Sequence, residues 1–318
     1  MTKPLISICI PVLNEESNIE KLLQRLNSLA DDETDYQFEF LFTDNASEDN
    51  TFELLSGLAK TDDRITVLRF SRNFGFQKSI LTNYQNSRGV AAIQVDADMQ
   101  DPPEMISAFL RSWEKGFKVV YGIRKGRKEF FLLNWGRKLF YALISNLADN
   151  PVPRGAGDFR LIDRVILDQL STISEQTPYL RGMIADLGYP QKGIVYNRNK
   201  REAGKSKFKL FSLIEFGIDG ITAQSIRPLR YMTLTGIMIS SLSVLVFLYY
   251  LIGGILFFQD LPSGFITLTL LTLFSVGINA FFLGLIGEYV GRIFNNTRGL
   301  PFTIVEKEIE NGQLKDLS

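Results

Sequence analysis

The first 125 residues alternate between short apolar runs and segments with a helical spacing of apolar side chains. The apolar runs read LISICIPV, FEFLFTD, ITVLRFS, VAAIQVD and FKVVYGI. Between them, segments such as NIEKLLQRLNSL place leucine and isoleucine side chains on one helical face. Continuous apolar runs are typical of strands buried on both sides of a parallel sheet, because helices cover both faces of such a sheet. The pattern therefore predicts an α/β domain with a mostly parallel sheet.

Polar segments follow the first four predicted strands. They read PVLNEE, TDNASEDNT, SRNFGFQK and DADMQD. Ligands of open α/β sheets bind beyond the carboxyl ends of the strands, so we expect these four loops to meet at one crevice. The first strand is not followed by a GxGxxG segment, which argues against a dinucleotide site of the Rossmann type.

Two long stretches without charged residues lie near the C-terminus, at residues 231–259 and 261–287. Each exceeds the roughly 20 residues that a helix needs to span a bilayer. Two buried core helices are the alternative interpretation. The outer flanks carry Lys and Arg, whereas the short link between the stretches carries neither. The positive-inside rule therefore predicts a two-helix transmembrane hairpin, with both flanks and the N-terminal domain in the cytoplasm.

Residues 205–215 precede this hairpin and combine basic with aromatic side chains. Three lysines at 205, 207 and 209 accompany Phe208 and Phe211, with Ile214 or Glu215 on the next turn. This spacing is typical of an interfacial amphipathic helix, with an ordinary packed helix as the alternative. The predicted organisation is a cytoplasmic domain at residues 1–200, interfacial helices at 201–230, two transmembrane helices at 231–290 and a cytoplasmic tail at 291–318.

The composition restricts the chemistry. Lys plus Arg and Asp plus Glu each number 35, so the net charge is zero and a nucleic-acid partner is not indicated. A single cysteine, Cys9, makes no intrachain disulfide, which fits a reducing compartment. The chain contains no histidine, which excludes histidine bases and histidine metal ligands. A metal ion would need oxygen ligands, which favours Mg²⁺ or Mn²⁺.

Three carboxylates follow the fourth apolar run: Asp96, Asp98 and Asp101. Asp96 and Asp98 are two residues apart, and alternate residues of a strand point to the same side. Two such carboxylates can hold one Mg²⁺ together with the oxygens of a diphosphate, and Gln100 could add a neutral ligand. A solvated acidic turn is the alternative interpretation.

Two further acidic residues follow earlier strands. Asp44 ends the second apolar run and is either an acceptor for a nucleobase hydrogen bond or the cap of a turn. Glu15 follows the first run and either contacts the ribose or base of a nucleotide or only begins its helix. Both interpretations stay open for each residue.

Six segments in this order resemble the family-2 glycosyltransferases with a GT-A fold: PVLNEESNI, FTDNASEDNT, FSRNFGFQKS, VDADMQDPPE, YGIR and GDFRLIDR. The segment REAGKSKF and the paired apolar stretches narrow the resemblance to the polyprenyl-phosphate glycosyltransferases. That group contains dolichol-phosphate mannose synthase and the bactoprenol glucosyltransferases. The resemblance covers nearly the whole chain. One departure is Asn45, which stands where the family usually has a second acid.

The resemblance implies a GT-A, Rossmann-like sheet and a division of the site. The nucleotide sugar would be bound by Pro11, Leu13, Glu15, Asp44, Lys78, Asp96 and Arg124. A Mg²⁺ or Mn²⁺ ion would be held by Asp96, Asp98 and Gln100, with Asp96 and Asp98 also counted as catalytic. The sugar and the acceptor would be bordered by Asp158, Arg160 and Asp163, of which Asp158 and Arg160 are also counted as catalytic. The lipid phosphate would be bound by Arg201, Ser206 and Lys207, because Arg and Lys both suit a phosphate.

The resemblance also implies a reaction. A sugar, with UDP-glucose as the first candidate donor, would pass with inversion to a polyprenyl phosphate such as undecaprenyl phosphate. The enzyme would lie in the bacterial inner membrane with its catalytic domain in the cytoplasm. Asp158 would position the sugar or acceptor, or form a structural pair with Arg160. A processive polysaccharide synthase is an alternative, although the chain lacks a Q-x-x-R-W segment, and so is a non-catalytic nucleotide-sensing membrane scaffold. The oligomeric state, including a homo-oligomer, stays open.

Overall fold

The structure, a computed structural model, describes residues 3–125, 156–173, 175–197, 227–256 and 264–317. Nine strands of these residues form one sheet in the order β7-β5-β6-β4-β1-β2-β3-β8-β9. The strands are β1 Leu5–Val12, β2 Gln37–Asp44, β3 Ile65–Phe70, β4 Ala91–Gln94, β5 Val119–Arg124, β6 Ala156–Asp163, β7 Gln191–Tyr196, β8 Val305–Glu310 and β9 Gln313–Asp316. The helices of the same residues are α1 Glu16–Asp32, α2 Thr51–Ala59, α3 Phe76–Asn86, α4 Met105–Trp113, α5 Arg164–Ser171, α6 Leu180–Asp186, α7 Arg227–Leu256 and α8 Phe265–Thr297.

The centre of the sheet is parallel, as the apolar runs predict. Strand β1 pairs in parallel with β2 on one side and with β4 on the other, and β2 pairs in parallel with β3. Strand β6 runs antiparallel between β4 and β5. The five predicted runs correspond to β1 through β5, so the predicted α/β class is confirmed. The carboxyl ends of β1, β2 and β4 therefore meet at one edge of the sheet.

Alternate residues of the central strands supply two separate hydrophobic cores. On β1, Ile8 and Ile10 pack with residues of α1, α2 and α4, whereas Cys9 packs on the opposite face with α3, α5 and α6. All three side chains are fully buried. Burial raises the pKa of the Cys9 thiol well above its ordinary value, so the residue acts as a small apolar side chain. Helices on both faces explain why the strands are continuously apolar.

The last two strands come from the end of the chain, after helix α8. Strand β8 pairs antiparallel with β3, and β9 pairs antiparallel with β8. Arg88 ties this addition to the sheet, because its guanidinium lies 2.7 Å from a carboxylate oxygen of Glu39 and 2.9 Å from one of Glu310. The predicted tail is thus part of the sheet domain. The hydrophobic pattern did not predict this, because β8 reads VEKEIE and has only two apolar residues.

Helices α7 and α8 contain most of the two uncharged stretches and contact each other. Apolar side chains remain exposed on both, including Leu242 and Leu245 of α7 and Phe281 and Leu283 of α8. Within the described ranges, one segment, Phe274–Thr297 of α8, is long and apolar enough to cross a membrane. A second span stays a prediction, and the predicted interfacial helix at 205–215 lies outside the described residues.

Candidate active site

A crevice opens where β1, β2 and β4 end, at the edge that the sheet rule predicts. Its volume is about 390 Å³. The residues that line it lie at the end of β1, in the loops after β1, β2 and β4, or just before and in the first turn of α3: Pro11, Val12, Leu13, Glu15, Asn45, Asn73, Gly75, Phe76, Ser79, Asp96, Ala97 and Asp98. The structure therefore brings together these predicted site residues: Pro11, Leu13, Glu15, Asp96 and Asp98.

The loop after β4 places its carboxylates close together. Asp98 Oδ1 accepts a hydrogen bond from the backbone N–H of Gln100 at 3.1 Å, and Asp96 Oδ1 accepts one from Nε2 of Gln94 at 2.7 Å. Burial raises the pKa of Asp96 to about 7, and the carboxylates of Asp101 and Asp98 contribute to the rise. At neutral pH the Asp96 carboxyl is therefore close to half protonated.

Asp96 and Asp98 fit a divalent cation. Mg²⁺ in proteins uses one or two carboxylates together with phosphate oxygens and water. Burial is the largest cause of the raised pKa of Asp96, and the negative charges of Asp101 and Asp98 add to it; a bound cation would offset those charges. In the part of the chain that the structure describes, no group of three or more Asp, Glu, Cys and His side chains could hold a metal. A neutral side chain or a substrate oxygen must therefore complete the coordination, and Gln100 as that ligand stays a prediction.

Asp44 lies at the end of β2 and is fully buried. Its Oδ1 accepts a hydrogen bond from the backbone N–H of Ser47 at 3.0 Å, which is the geometry of a turn cap. Its Oδ2 lies 3.7 Å from Nε of Arg69. Burial raises the pKa of Asp44 above its ordinary value. The turn-capping role is therefore confirmed, whereas contact with a nucleobase stays a prediction because Asp44 is not among the residues that line the crevice.

Asn45 lines the crevice at the position where the family usually has a second acid. Its Oδ1 accepts a hydrogen bond from the backbone N–H of Phe74 at 2.8 Å. Its Nδ2 donates to Oδ1 of Asn73, also at 2.8 Å. A carboxylate could accept the first hydrogen bond but could not donate the second. The amide therefore holds the loop that precedes α3 against the end of β2.

Glu15 lies between β1 and α1 and lines the crevice. Its Oε2 accepts a hydrogen bond from Nδ2 of Asn18 at 2.6 Å, and its backbone N–H donates to Oγ1 of Thr51 at 2.9 Å. The Glu15 side chain makes no capping hydrogen bond to the backbone of α1. Glu15 therefore lies at the crevice wall, and its contact with the ribose or base of a nucleotide stays a prediction.

Asp158, at the start of β6, is paired with Arg181 of α6, a residue that the sequence analysis did not single out. Nε and Nη2 of Arg181 donate to the two carboxylate oxygens at 2.9 and 2.7 Å. Burial alone would raise the pKa of Asp158, but Arg181 and then Arg160 bring it below its ordinary value. Arg160 is itself buried, and its Nη2 donates to the carbonyl of Gly157 at 2.7 Å. The ion-pair partner of Asp158 is therefore Arg181, where the alternative interpretation expected Arg160.

Asp163 lies at the other end of β6 and faces Ala91 in the neighbouring strand. It lies five positions after Asp158 along the strand, which is a distance of about 17 Å. There it accepts hydrogen bonds from Nε1 of Trp113 at 2.7 Å and Nζ of Lys118 at 2.9 Å, and it caps α5. The prediction that Asp163 borders the sugar is wrong. Strand β6 runs antiparallel to β4, so the start of β6 lies at the crevice edge and Asp163, at its end, lies at the opposite edge of the sheet.

Lys78 lies on α3 but is not among the residues that line the crevice. Its Nζ donates to the carbonyl of Phe302 at 2.8 Å and to Oε1 of Gln176 at 3.0 Å. The ammonium is bound to the segment that follows α8, so the contact between Lys78 and the nucleotide sugar stays a prediction. The predicted acceptor-phosphate residues lie outside the described residues: Arg201, Ser206 and Lys207.

Arg124 ends β5 and pairs with Asp101, the third carboxylate of the acidic loop. Its Nη2 lies 3.0 Å from Oδ2 of Asp101, whose Oδ1 accepts a hydrogen bond from the hydroxyl of Tyr196. Burial alone would lower the pKa of Arg124, but Asp101 and Tyr196 raise it. A Cβ added at Gly157 would lie 3.2 Å from Nη2 of Arg124, so glycine leaves room for the guanidinium. Arg124 thus anchors the acidic loop, and its contact with the nucleotide sugar stays a prediction.

A mostly parallel α/β sheet with two carboxylates in a crevice at its carboxyl edge is the architecture of a GT-A glycosyltransferase. The chain belongs to glycosyl transferase family 2, which matches residues 7–171. The match includes β1 through β6, the acidic loop and Asp158. The chain is therefore a glycosyltransferase, and the resemblance seen in its motifs is confirmed.

The chain is similar over nearly its whole length to relatives from bacteria and phages. It is 36% identical to the uncharacterized glycosyltransferase YkcC of Bacillus subtilis, over 97% of this chain and 96% of the relative. It is 30% identical to the bactoprenol glucosyl transferase of Shigella phage SfII, over 95% of this chain and 97% of the relative. The solved mannosyl-3-phosphoglycerate synthase of Rubrobacter xylanophilus is similar at 15% identity and a TM-score of 0.48, over 82% of this chain and 78% of that chain.

Proposed function

We propose that this glycosyltransferase transfers a sugar from a nucleotide sugar to a polyprenyl phosphate, with UDP-glucose and undecaprenyl phosphate as the first substrates to test. The observation that carries the proposal is the crevice, in which Asp96 and Asp98 lie beside the residues that follow β1 and β2. The relative from Shigella phage SfII, aligned over 95% of this chain, is named a bactoprenol glucosyl transferase. That name supports glucose as the sugar and a polyprenyl lipid as the acceptor.

The donor end of the crevice is assigned to the nucleoside and its diphosphate. The proposed nucleoside contacts come from the loops after β1 and β2: Pro11, Leu13, Glu15 and Asp44. A Mg²⁺ or Mn²⁺ ion held by Asp96 and Asp98 would supply positive charge that offsets the charge of the leaving diphosphate. Arg124 is held beside the same loop by its salt bridge with Asp101 and is proposed as a further contact of the nucleotide sugar.

The acceptor end is assigned to the surroundings of Asp158. A phosphate monoester is largely ionised at neutral pH, so its oxygen can attack the anomeric carbon without a strong base. Asp158 stays ionised beside Arg181 and Arg160, which suits a side chain that orients the sugar or the acceptor. Attack from the face opposite the diphosphate inverts the configuration of the sugar. The lipid phosphate itself is assigned to Arg201, Ser206 and Lys207.

The sheet topology supports a hairpin in the membrane. Strand β1 precedes α7 and strand β8 follows α8, yet both belong to one sheet and so lie on one side of any membrane. A chain that leaves and returns to the same side must cross an even number of times. If Phe274–Thr297 of α8 forms one span, a second span is required, and α7 has the length to supply it. The basic flanks, and the use of a nucleotide sugar in the proposed reaction, support a cytoplasmic location of the sheet domain.

The test is an assay of the purified full-length protein with undecaprenyl phosphate in detergent. UDP-glucose, UDP-GlcNAc, UDP-linked aminoarabinose and GDP-mannose are supplied in turn, with Mn²⁺, with Mg²⁺ or with EDTA, and the lipid product is identified by its mass. We expect a lipid carrying one sugar that forms only with a divalent cation. Asp98→Asn should abolish the product, whereas Asp168→Asn, at an exposed carboxylate of α5, should not. A polymer would indicate a processive synthase, and no sugar transfer with any donor would indicate a scaffold.

A further inference from the structure

A cluster of polar contacts joins helix α3 to the segment that leaves helix α8. Nζ of Lys78 donates to the carbonyl of Phe302 and to Oε1 of Gln176. Gln176 in turn donates from Nε2 to the carbonyl of Leu300 at 2.9 Å, and its backbone N–H donates to Oδ1 of Asn296 at 3.0 Å. We call this set of five residues the α3–α8 latch: Lys78, Gln176, Asn296, Leu300 and Phe302.

Neighbouring contacts also join the end of α8 and the segment after it to the sheet domain. Arg292, on the last turns of α8, donates from Nη1 to Oγ1 of Thr177 at 3.2 Å and lies 3.9 Å from a carboxylate oxygen of Glu175. The hydroxyls of Thr82 on α3 and Thr303 are 3.3 Å apart. The last turns of α8 and the segment that follows it are therefore held to the sheet domain by side chains from two separate parts of that domain.

The latch is continuous with the candidate active site through α3. Phe76 and Ser79, which flank Lys78 on the first turn of this helix, line the crevice. Gln77 lies between them, and its Nε2 is 3.4 Å from Oδ2 of Asp158. The Oε1 of the same amide accepts a hydrogen bond from the backbone N–H of Leu180, the residue before the arginine that pairs with Asp158. One turn of helix thus contacts the donor crevice, the acceptor carboxylate and the end of α8.

We propose that the α3–α8 latch fixes the distance and orientation of the crevice relative to helix α8, with Lys78 and Gln176 as positioning residues for a lipid-anchored acceptor. A soluble donor can reach the crevice in any orientation of the sheet domain. A phosphate attached to a membrane lipid reaches it only when the crevice lies at one height and angle above the bilayer. The acceptor part of this inference rests on the proposed function, whereas the geometric part does not.

The experiment uses isosteric substitutions in the full-length protein. Lys78→Met removes the hydrogen bonds to Phe302 and Gln176, and Gln176→Leu removes those to Lys78 and Leu300, while both keep side-chain size. Lys115→Met and Gln24→Leu are matched controls at exposed positions of the sheet domain. For each protein, three quantities are measured: the rate of transfer to undecaprenyl phosphate in liposomes, the Kd for UDP with Mn²⁺, and the distance between two spin labels. The labels are attached at Glu53→Cys on α2 and Ile293→Cys on α8, because the native thiol, Cys9, is buried.

We expect both latch variants to broaden the distance distribution between the two labels and to lower the rate of lipid transfer at least tenfold. The Kd for UDP should stay within about twofold of that of the unsubstituted protein, since the latch residues do not line the crevice. Lys78→Arg, which can still donate to the carbonyl of Phe302, should keep the narrow distribution and most of the transfer. Both control variants should behave like the unsubstituted protein.

Two results would overturn the inference. One is a distance distribution that stays narrow in both latch variants, whatever happens to the rate. The other is a loss of UDP affinity as large as the loss of transfer, which would make Lys78 a donor-site residue as the sequence first suggested. Failure of the proposed function is recognised separately, because the unsubstituted protein would then form no lipid product. The distance measurement would still decide whether the latch holds α8.

Discussion

The sharpest prediction concerns Asp96→Asn, a substitution that should stabilise the metal-free protein while removing its activity. The pKa of Asp96 is raised from its ordinary 3.8 to about 7 by burial and by the carboxylates of Asp101 and Asp98. The folded protein therefore binds this proton more tightly than the unfolded chain does. The contribution of this proton to the free energy of unfolding is complete below about pH 4. It is lost as the pH rises toward 7. Asparagine has no charge at any pH, so the variant should keep this stability as the pH rises.

The size of the effect follows from the pKa shift. A rise from 3.8 to about 7 corresponds to roughly 4 kcal/mol of free energy of unfolding once Asp96 is fully charged. Asp96 is partly exposed to the crevice, and solvent screening reduces this to about 2 kcal/mol. In a domain of this size, that free energy corresponds to a rise in Tm of about 4–8 °C at pH 8. The difference should shrink at pH 5.5, where Asp96 is mostly protonated in the folded protein.

The assay is thermal unfolding in detergent with EDTA, followed by tryptophan fluorescence at one scan rate. Each protein is scanned at pH 8 and pH 5.5, and again at pH 8 with Mn²⁺ and UDP in place of EDTA. Mn²⁺ and UDP should raise the Tm of the unsubstituted protein and leave that of Asp96→Asn unchanged. Asp168→Asn, at an exposed carboxylate, should match the unsubstituted protein throughout. A lower Tm for Asp96→Asn at pH 8 in EDTA would refute the reasoning, because it would show that the charged carboxylate stabilises the fold.

Three further predictions test other contacts. Arg181→Ala should lower the rate of transfer at pH 7 at least tenfold. It should also move the acidic limb of the pH–rate profile to higher pH, because the pKa of Asp158 rises without the arginine. An unshifted profile would contradict the pairing. Asn45→Asp should lower the Tm by about 2–4 °C, because the variant loses the hydrogen bond to Asn73, which is worth about 1 kcal/mol. An unchanged Tm would contradict this role of the amide. A cysteine replacing Lys307 in β8 should react with an impermeant thiol reagent only after cells are permeabilised, whereas labelling of intact cells would contradict the cytoplasmic sheet domain.

The part of the site that the sequence predicts well is local. Pro11, Leu13, Glu15, Asp96 and Asp98 all lie at or just after the ends of buried strands, and all five line the crevice. Their position depends on two rules that act over short distances: apolar runs form buried strands, and parallel strands end at a common edge. The departure at Asn45 could also be seen in the sequence, but its reason needed the structure, since the hydrogen-bond partner of its amide lies 28 residues further along the chain.

What the sequence by itself determined is therefore the α/β class, the first five strands along the chain and the acidic edge, because burial patterns and strand ends are local properties of the chain. The tertiary structure alone decided that Asp158 pairs with Arg181, that Asp163 lies at the far end of its strand, and that Lys78 contacts the segment after α8. Each depends on the direction of a strand or on the meeting of residues 23 to 224 positions apart. The sequence of β6 does not state whether it runs parallel or antiparallel to β4, since side chains alternate between the two faces in either direction. Only the folded sheet domain, in which β6 runs antiparallel to β4, brings these distant side chains together.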